Sequence, residues 1–338
     1  MKRNIGVLWI ALLCAALLTA CASSAEGGPE TPSPTQGEQQ RAQVSWPKEK
    51  LELDENGVPR LNVYVTEEKA VRPMELETYV QGVLAGEMKN DWPLEALKAQ
   101  AILARTFVLK FVEEKKSRYP DADISTDIEE AQAYNAEAVN DAIRQAVEET
   151  RGQVLSFGGE LPYAWFHAHS GGVTELAKAG LGWEKDEPGY TQSVKGNEPD
   201  SAGDSQELKD AQAWEAGFSF EEFESALATL GIETELSPES QITVGERGTS
   251  GRALTLSVDG QPVNASSLRI ALGSTKMRST MLTSLTLGQN GSVHMAGRGY
   301  GHGVGMSQWG AYGMAEAGKS AQDIVTHYFR DVTVETLW

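Results

Sequence analysis

The side chains with the most chemical reach are few and clustered. Gly297 to Gly318 reads GRGYGHGVGMSQWGAYGMAEAG and gathers Arg298, Tyr300, His302, Ser307, Gln308 and Trp309 among its glycines. Together they offer hydrogen bonds, a titratable imidazole and flat rings, the equipment for holding a polar ligand with flat faces. AWFHAHSGG adds His167, His169 and Ser170. Two imidazoles two residues apart on a strand share a face, which invites a metal. A metal needs at least a third ligand, and the candidates His294 and His302 lie far along the chain. No metal and no cofactor are expected, and a turn at Ser170-Gly171-Gly172 with its N–H groups lining a cleft is the simpler reading. A Ser–His nucleophile pair lacks any group to orient it. Glu87 follows the apolar run VLAG and precedes Trp92. A carboxyl in such surroundings is desolvated, and its pKa rises.

One motif is a false lead. Gly313-Met-Ala-Glu-Ala-Gly318-Lys319-Ser320 fits the phosphate-loop spacing. A phosphate loop follows a buried strand and opens a helix. Here a helical pattern over 306–317 precedes it, Gly318 sits where a helix-terminating glycine belongs, and Ser320 to Asp323 reads as a capping box. Nucleotide binding is not expected.

The alternating glycines at 297, 299, 301, 303 and 305 need their own reason, since each costs about 0.5–1 kcal/mol relative to alanine. Read as a strand, they leave one edge almost bare. Either a sugar chain or another part of the protein then lies against that backbone.

These residues need elements to position them. LNVYV (61–65) reads as a strand, 75–88 and 92–112 as helices, and 136–150 as a third helix. In the second, Leu94, Leu97, Ala101, Ala104, Val108 and Phe111 make one apolar face, and Arg105 falls off it. QVLSF and PYAWFHA, joined by Gly158-Gly159, read as a hairpin. QITVGE, RALTLSV, MLTSLTL and SVHMAG are short strands. The composition is α+β: mixed short strands and amphipathic helices, in two lobes with a cleft between them, because some 290 residues strain a single core.

The N-terminus sets the compartment. Lys2 and Arg3 precede an apolar run, Ile5 to Leu18, too short and badly flanked for a membrane span. Leu18-Thr19-Ala20-Cys21 resembles the bacterial lipobox, which implies a signal over 1–21 and lipid on Cys21; an ordinary signal cut near Ala20 is the alternative. Residues 22–48, rich in Pro, Ser, Gln and Gly, read as a flexible tether, and 49–338 as the folded domain. The other cysteine, Cys14, falls inside the signal, so the mature chain has no thiol for a disulfide or nucleophile. A net charge of −19 without a basic cluster argues against nucleic acid as a partner.

Two long motifs carry a resemblance. GRGYGHGVGMSQWGAYGMA and LETYVQGVLAGEMKNDWPLEALKAQAILARTF resemble the C- and N-terminal signatures of the stage II sporulation protein D / LytB amidase-enhancer family. ETRGQVLSF, AWFHAHSGGVTE, GYTQSV and GERGTSGRALTLSVDG follow in the family's order, covering about residues 61–329. The resemblance implies a lytic transglycosylase that cuts peptidoglycan glycan strands stripped of stem peptides, with Glu87 of the GEM motif as the single acid/base. It also implies a place in septal or engulfment wall remodelling and a cell-wall amidase as partner. The alternative is a non-catalytic, glycan-binding activator of that amidase. On this reading Glu87 is catalytic, and Arg105, Thr106, His169, Ser170, Tyr190 and the polar residues of 298–309 contact substrate. Lys89 stands where the family usually has proline, and AWFHAHSGG carries an extra histidine.

Overall fold

The computed structural model describes residues 44–203 and 205–338. The signal reading and Cys21 lie outside the described residues. Val44 is buried in the core, the Ser45 N–H donates to the Gly159 carbonyl at 2.8 Å, and Trp46 meets Trp338. The packed body therefore includes residues from the segment read as tether.

The helices, in chain order, are α1 (Leu76–Glu87), α2 (Leu94–Glu114), α3 (Asp141–Glu149), α4 (Ala177–Leu181), α5 (Gln206–Gln212), α6 (Phe220–Thr229), α7 (Ala265–Ala271), α8 (Gln308–Glu316) and α9 (Ala321–Tyr328). With several short, mostly antiparallel sheets, they make the α+β class expected. α2 is the axis of the larger core. It packs against α1, α3, α8, α9 and strand Gln153–Ser156, so it is buried nearly all round rather than along one stripe. Ala96, Ala99, Ala101 and Ala104 let those neighbours approach closely. The off-stripe Arg105 is consequently internal. It forms a two-pronged pair with Glu77 of α1 at 2.7 and 3.1 Å, and Glu77 also accepts from the Gly152 N–H and the Trp338 indole.

A smaller core lies within residues 214–295, around Trp214, Phe223, Leu256, Leu268 and Val293. It is enclosed by two three-stranded antiparallel sheets, one of Trp214–Ser219, Leu282–Gly288 and Ser292–Gly297, the other of Ile242–Val244, Thr255–Val258 and Gln261–Asn264. The chain length suggests two lobes with a cleft, whereas the described residues hold two hydrophobic cores within one compact unit.

Three local expectations change. The helix read over 136–150 is broken at Asn140, whose side chain caps α3 by accepting the Ile143 N–H at 3.0 Å. The hairpin stops at its turn: Phe157 and Glu160 bridge across Gly158-Gly159, but 153–156 pairs with 333–336, while 166–167 pairs in parallel with 306–307. Beyond the turn, near neighbours in sequence lost to distant strands. The glycine run is not a strand edge either. Gly299, Gly301, Gly303 and Gly305 all have positive φ. A Cβ on Gly301 would lie 2.7 Å from the His167 Cβ, and one on Gly305 would overlap the Trp165 carbonyl. The bare backbone is filled by the protein's own 165–171 segment.

The phosphate-loop spacing belongs to a helix end, as its context predicts. α8 occupies its first half, Gly318 has φ +78°, and Ser320 and Asp323 form a capping box for α9.

Candidate active site

Glu87 is the last residue of α1, and small residues put its carboxyl in place. Gly82 and Gly86 lie one turn apart on one helix face. The ring of Tyr134 fills the space above Gly82, and a Cβ on Gly86 would lie 2.7 Å from the Tyr134 backbone nitrogen. The loop can therefore lie flat on the helix, where the Ala133 N–H donates to Glu87 Oε1 at 2.7 Å. From the other side α8 arrives with Gln308, whose Nε2 donates to the Glu87 carbonyl at 3.2 Å. Met88 beside it is buried, and Glu87 itself is half-buried.

Burial pushes the Glu87 carboxyl up to about 6, against the pull of the Ala133 N–H and the Gln308 side chain. The position adds to this in kind: a carboxylate at a helix C-terminus faces the negative end of the dipole, and the last turn of α1 carries no basic residue. Lys89 does not compensate, being engaged with Glu207 at 3.0 Å. Beside the site Trp92 packs on Trp309 at 4.5 Å between centroids and on Tyr312 at 5.2 Å, forming a partly exposed aromatic cluster.

A second polar group lies behind the start of α8. Ser307 caps that helix by accepting the Gly310 N–H, and its hydroxyl donates to Glu198 at 2.7 Å. The same Glu198 oxygen accepts the Ser170 N–H at 2.7 Å and lies 3.8 Å from His169 Nδ1. Burial opposes charge on Glu198, yet these donors hold its carboxyl below the usual range. His169 Nδ1 accepts the Gly171 N–H at 2.9 Å, so the neutral ring carries its proton on the buried Nε2; burial pushes its pKa down.

The remaining candidates lie elsewhere. Arg105 and Thr106 are fully buried, and Thr106 bonds to Ile102 and Leu155, so neither has a surface to offer a ligand. That is the physical correction to their reading as substrate contacts: α2 is enclosed on every side. Tyr190 is also buried, its hydroxyl accepting the Tyr163 N–H at 3.0 Å, with Phe157 and Phe329 against its ring. The Tyr300 backbone pairs with His169, and its ring lies under the Arg278 guanidinium. His302 accepts the Val304 N–H, and burial pushes its imidazole down to about 3. The Arg298 side chain is exposed. The N–H groups of 170–172 are spent: Ser170 on Glu198, Gly171 on His169, and Gly172 on the Ser170 hydroxyl. Among the described residues no group of three or more His, Cys, Asp or Glu is placed to hold a metal.

Sequence reasoning passed over Glu198, which sits at the edge of a polar run with no periodicity to mark it. Arg252 is fully buried and donates to the Ser170 carbonyl at 2.6 Å; burial lowers its guanidinium to about 10.

The structure is an α+β protein in which one raised carboxyl, held by a backbone N–H, lies near a cluster of aromatic rings. The comparisons say which family has it. Residues 64–157 match the model of the stage II sporulation protein family, and 185–305 match a domain of unknown function, DUF8618. The chain is 34% identical to stage II sporulation protein D of Bacillus amyloliquefaciens over 288 residues, 80% of this chain and 77% of that protein. It is 31% identical over 266 residues to an uncharacterized protein of Brachyspira hyodysenteriae, 78% of this chain and 67% of that one. With the amidase enhancer of Bacillus subtilis it shares 28% identity, over 75% of this chain and 40% of that protein. The chain belongs to the stage II sporulation protein D family.

Proposed function

We propose that this protein is a lytic transglycosylase of the bacterial cell wall, with Glu87 as its single acid/base. The observation that carries the reading is the Glu87 carboxyl, raised to about 6 by burial while one oxygen accepts the Ala133 N–H. With Oε1 held as an acceptor, the proton rests on Oε2. In the first step it passes to the glycosidic oxygen between N-acetylmuramic acid and N-acetylglucosamine, and the bond from that oxygen to muramyl C1 breaks. The resulting carboxylate takes the proton from the muramyl C6 hydroxyl as O6 closes on C1, giving a 1,6-anhydro end and restoring the acid. No water is consumed, so the second carboxylate of hydrolytic glycosidases is not required. Acid–base help of this kind is worth about 10²–10⁴-fold.

The substrate is glycan stripped of stem peptides, and the half-buried rings of Trp92 and Tyr312, backed by the buried Trp309, offer pyranose-binding faces beside the acid. The signal and Cys21 anchor the protein by lipid outside the cytoplasm, where it reaches the wall during sporulation. No helix among the described residues is long and apolar enough to cross a membrane, so anchoring rests on the leader. Cys21→Ala with labelled fatty acid tests that part: incorporation is lost, and unchanged labelling rejects Cys21 as the attachment point.

Incubation with denuded glycan and mass spectrometry of the products tests the activity. Anhydromuramyl ends are expected from the parent and not from Glu87→Gln; equal product from both removes Glu87 as the acid. The amidase enhancer relative supports a second reading, in which the chain binds glycan and stimulates an amidase. No anhydro ends, together with faster amidase turnover on mixing, is its signature.

A further inference from the structure

A second site stands at the other end of α2. From Leu94, beside the Glu87 loop, to Lys110 that helix advances about 24 Å. There a cavity of about 390 Å³ opens between α2 and the 163–185 segments, lined by Phe107, Tyr163, Trp165 and Trp183 with lysines at its rim. Tyr163 and Trp165 stack 13° from parallel at 5.1 Å. Trp183 stands nearly at right angles to both, at 5.1 and 5.3 Å. All three rings are half-buried, so part of each meets solvent. Nothing in the acid–base chemistry at Glu87 uses them.

The geometry limits what binds. The rings touch one another, which leaves no slot between them for a cationic head group of the kind that aromatic cages enclose. They form a shelf with a wall, a shape that suits the flat face of a sugar ring. The charges select further. Lys110 is taken up by Glu113 and Glu114, each at 2.8 Å, and Glu114 accepts the Tyr163 hydroxyl. Lys115 and Lys185 remain beside ring faces, at 5.7 Å from Phe111 and 5.4 Å from Trp183, with Lys185 near enough to Glu114 to help lower its carboxyl. In a chain of net charge −19 this rim is locally cationic and meets an anion.

We infer that the shelf of Tyr163, Trp165 and Trp183 is an accessory binding site for a carboxylate-bearing glycan, stacking its pyranose rings while Lys115 and Lys185 meet its carboxylates. The inference deepens the proposed function, on which it rests for the ligand: a glycan strand stripped of stem peptides exposes a lactyl carboxylate on every muramic acid. A grip remote from the acid would keep a strand bound between cleavages. It would also offset the long-range repulsion between an acidic protein and an anionic wall.

The test follows tryptophan indole N–H resonances by NMR during titration of the full chain, in a Glu87→Gln background that prevents turnover. Denuded glycan is expected to move the Trp165 and Trp183 signals, and to do so at lower concentration than a neutral N-acetylglucosamine tetramer. Trp183→Ala weakens glycan binding followed at Trp165 about tenfold, the loss typical of a well-placed aromatic contact. A Lys115→Glu, Lys185→Glu double variant keeps the shelf and removes the preference for the carboxylated strand together with its salt dependence. Silence of Trp165 and Trp183 while Trp92 and Trp309 respond overturns the accessory site and leaves the Glu87 reading intact. The reverse pattern, with no anhydro product from the parent, keeps the site and overturns that reading. A polyglycerol phosphate that competes better than the glycan, or a charge-reversed variant that keeps the preference, overturns the choice of ligand.

Discussion

Glu87→Gln separates the proposed chemistry from simple structural damage, because it predicts a gain as well as a loss. Moving the carboxyl from its ordinary 4.5 to about 6 means that the folded protein resists ionising it. That displacement corresponds to about 2 kcal/mol at neutral pH. The sign follows from linkage: the stabilisation is whole below the unfolded value, near 4.5, and is lost as pH rises through about 6. Glutamine has no charge to desolvate and keeps an oxygen for the Ala133 N–H. Comparing urea denaturation of variant and parent at pH 4 and pH 8 cancels the part of the substitution that does not depend on pH. The variant is expected to gain about 2 kcal/mol on the parent between the two pH values, while its yield of anhydromuramyl ends falls about 10²-fold or more. A stability difference that stays flat from pH 4 to pH 8 refutes the claim that the folded site holds the acid protonated, whatever happens to activity.

Other consequences are independent of that site. Arg105→Ala strands Glu77 in the core and is expected to cost about 3–5 kcal/mol in urea melts; a loss under about 1 kcal/mol rejects the buried pair as a tie between α1 and α2. Glu198→Ala leaves the Ser170 N–H and the Ser307 hydroxyl without an acceptor, a loss of about 2–4 kcal/mol. Because the Glu198 carboxyl is held below the usual range, its stabilisation is present above the unfolded pKa and lost as pH falls. Glu198→Gln should therefore flatten the acid side of a melting-temperature profile; an unchanged acid limb contradicts that. Gly305→Ala and Gly318→Ala share a positive φ, but only at 305 does the new methyl meet the Trp165 carbonyl. The exposed change at 318 is expected to cost about 1 kcal/mol and the buried one about 3 kcal/mol or more. Equal losses reject close packing as the reason for glycine at 305.

Helices and strands were largely legible because their periodicity is local, and so were the caps around Gly318 and Ser320. Asn140 was legible as well and was overridden: a residue that favours caps, placed inside a helical pattern, marked the true start of α3. What the chain could not disclose was which segments lie against which. The glycines of 297–305 carry the same letters whether a sugar or a carbonyl fills the space above them. Only the arrival of residues 165–171, more than a hundred positions upstream, decides for the carbonyl. Arg105 likewise read as a substrate contact because it fell off the stripe its α2 neighbours defined, and the packing of α1 and strand 153–156 around it made it internal. Glu198 gave no signal, since its importance comes wholly from the donors that converge on it. The same reasoning gives the acid its character. The apolar run VLAG points to a raised Glu87 carboxyl, but the enclosure comes from elsewhere: Gly82 and Gly86 admit the 133–134 loop, α8 brings Gln308, and burial raises the carboxyl. The sequence motif is therefore best understood as a landing surface, on which residues separated by up to 221 positions assemble the environment of one proton.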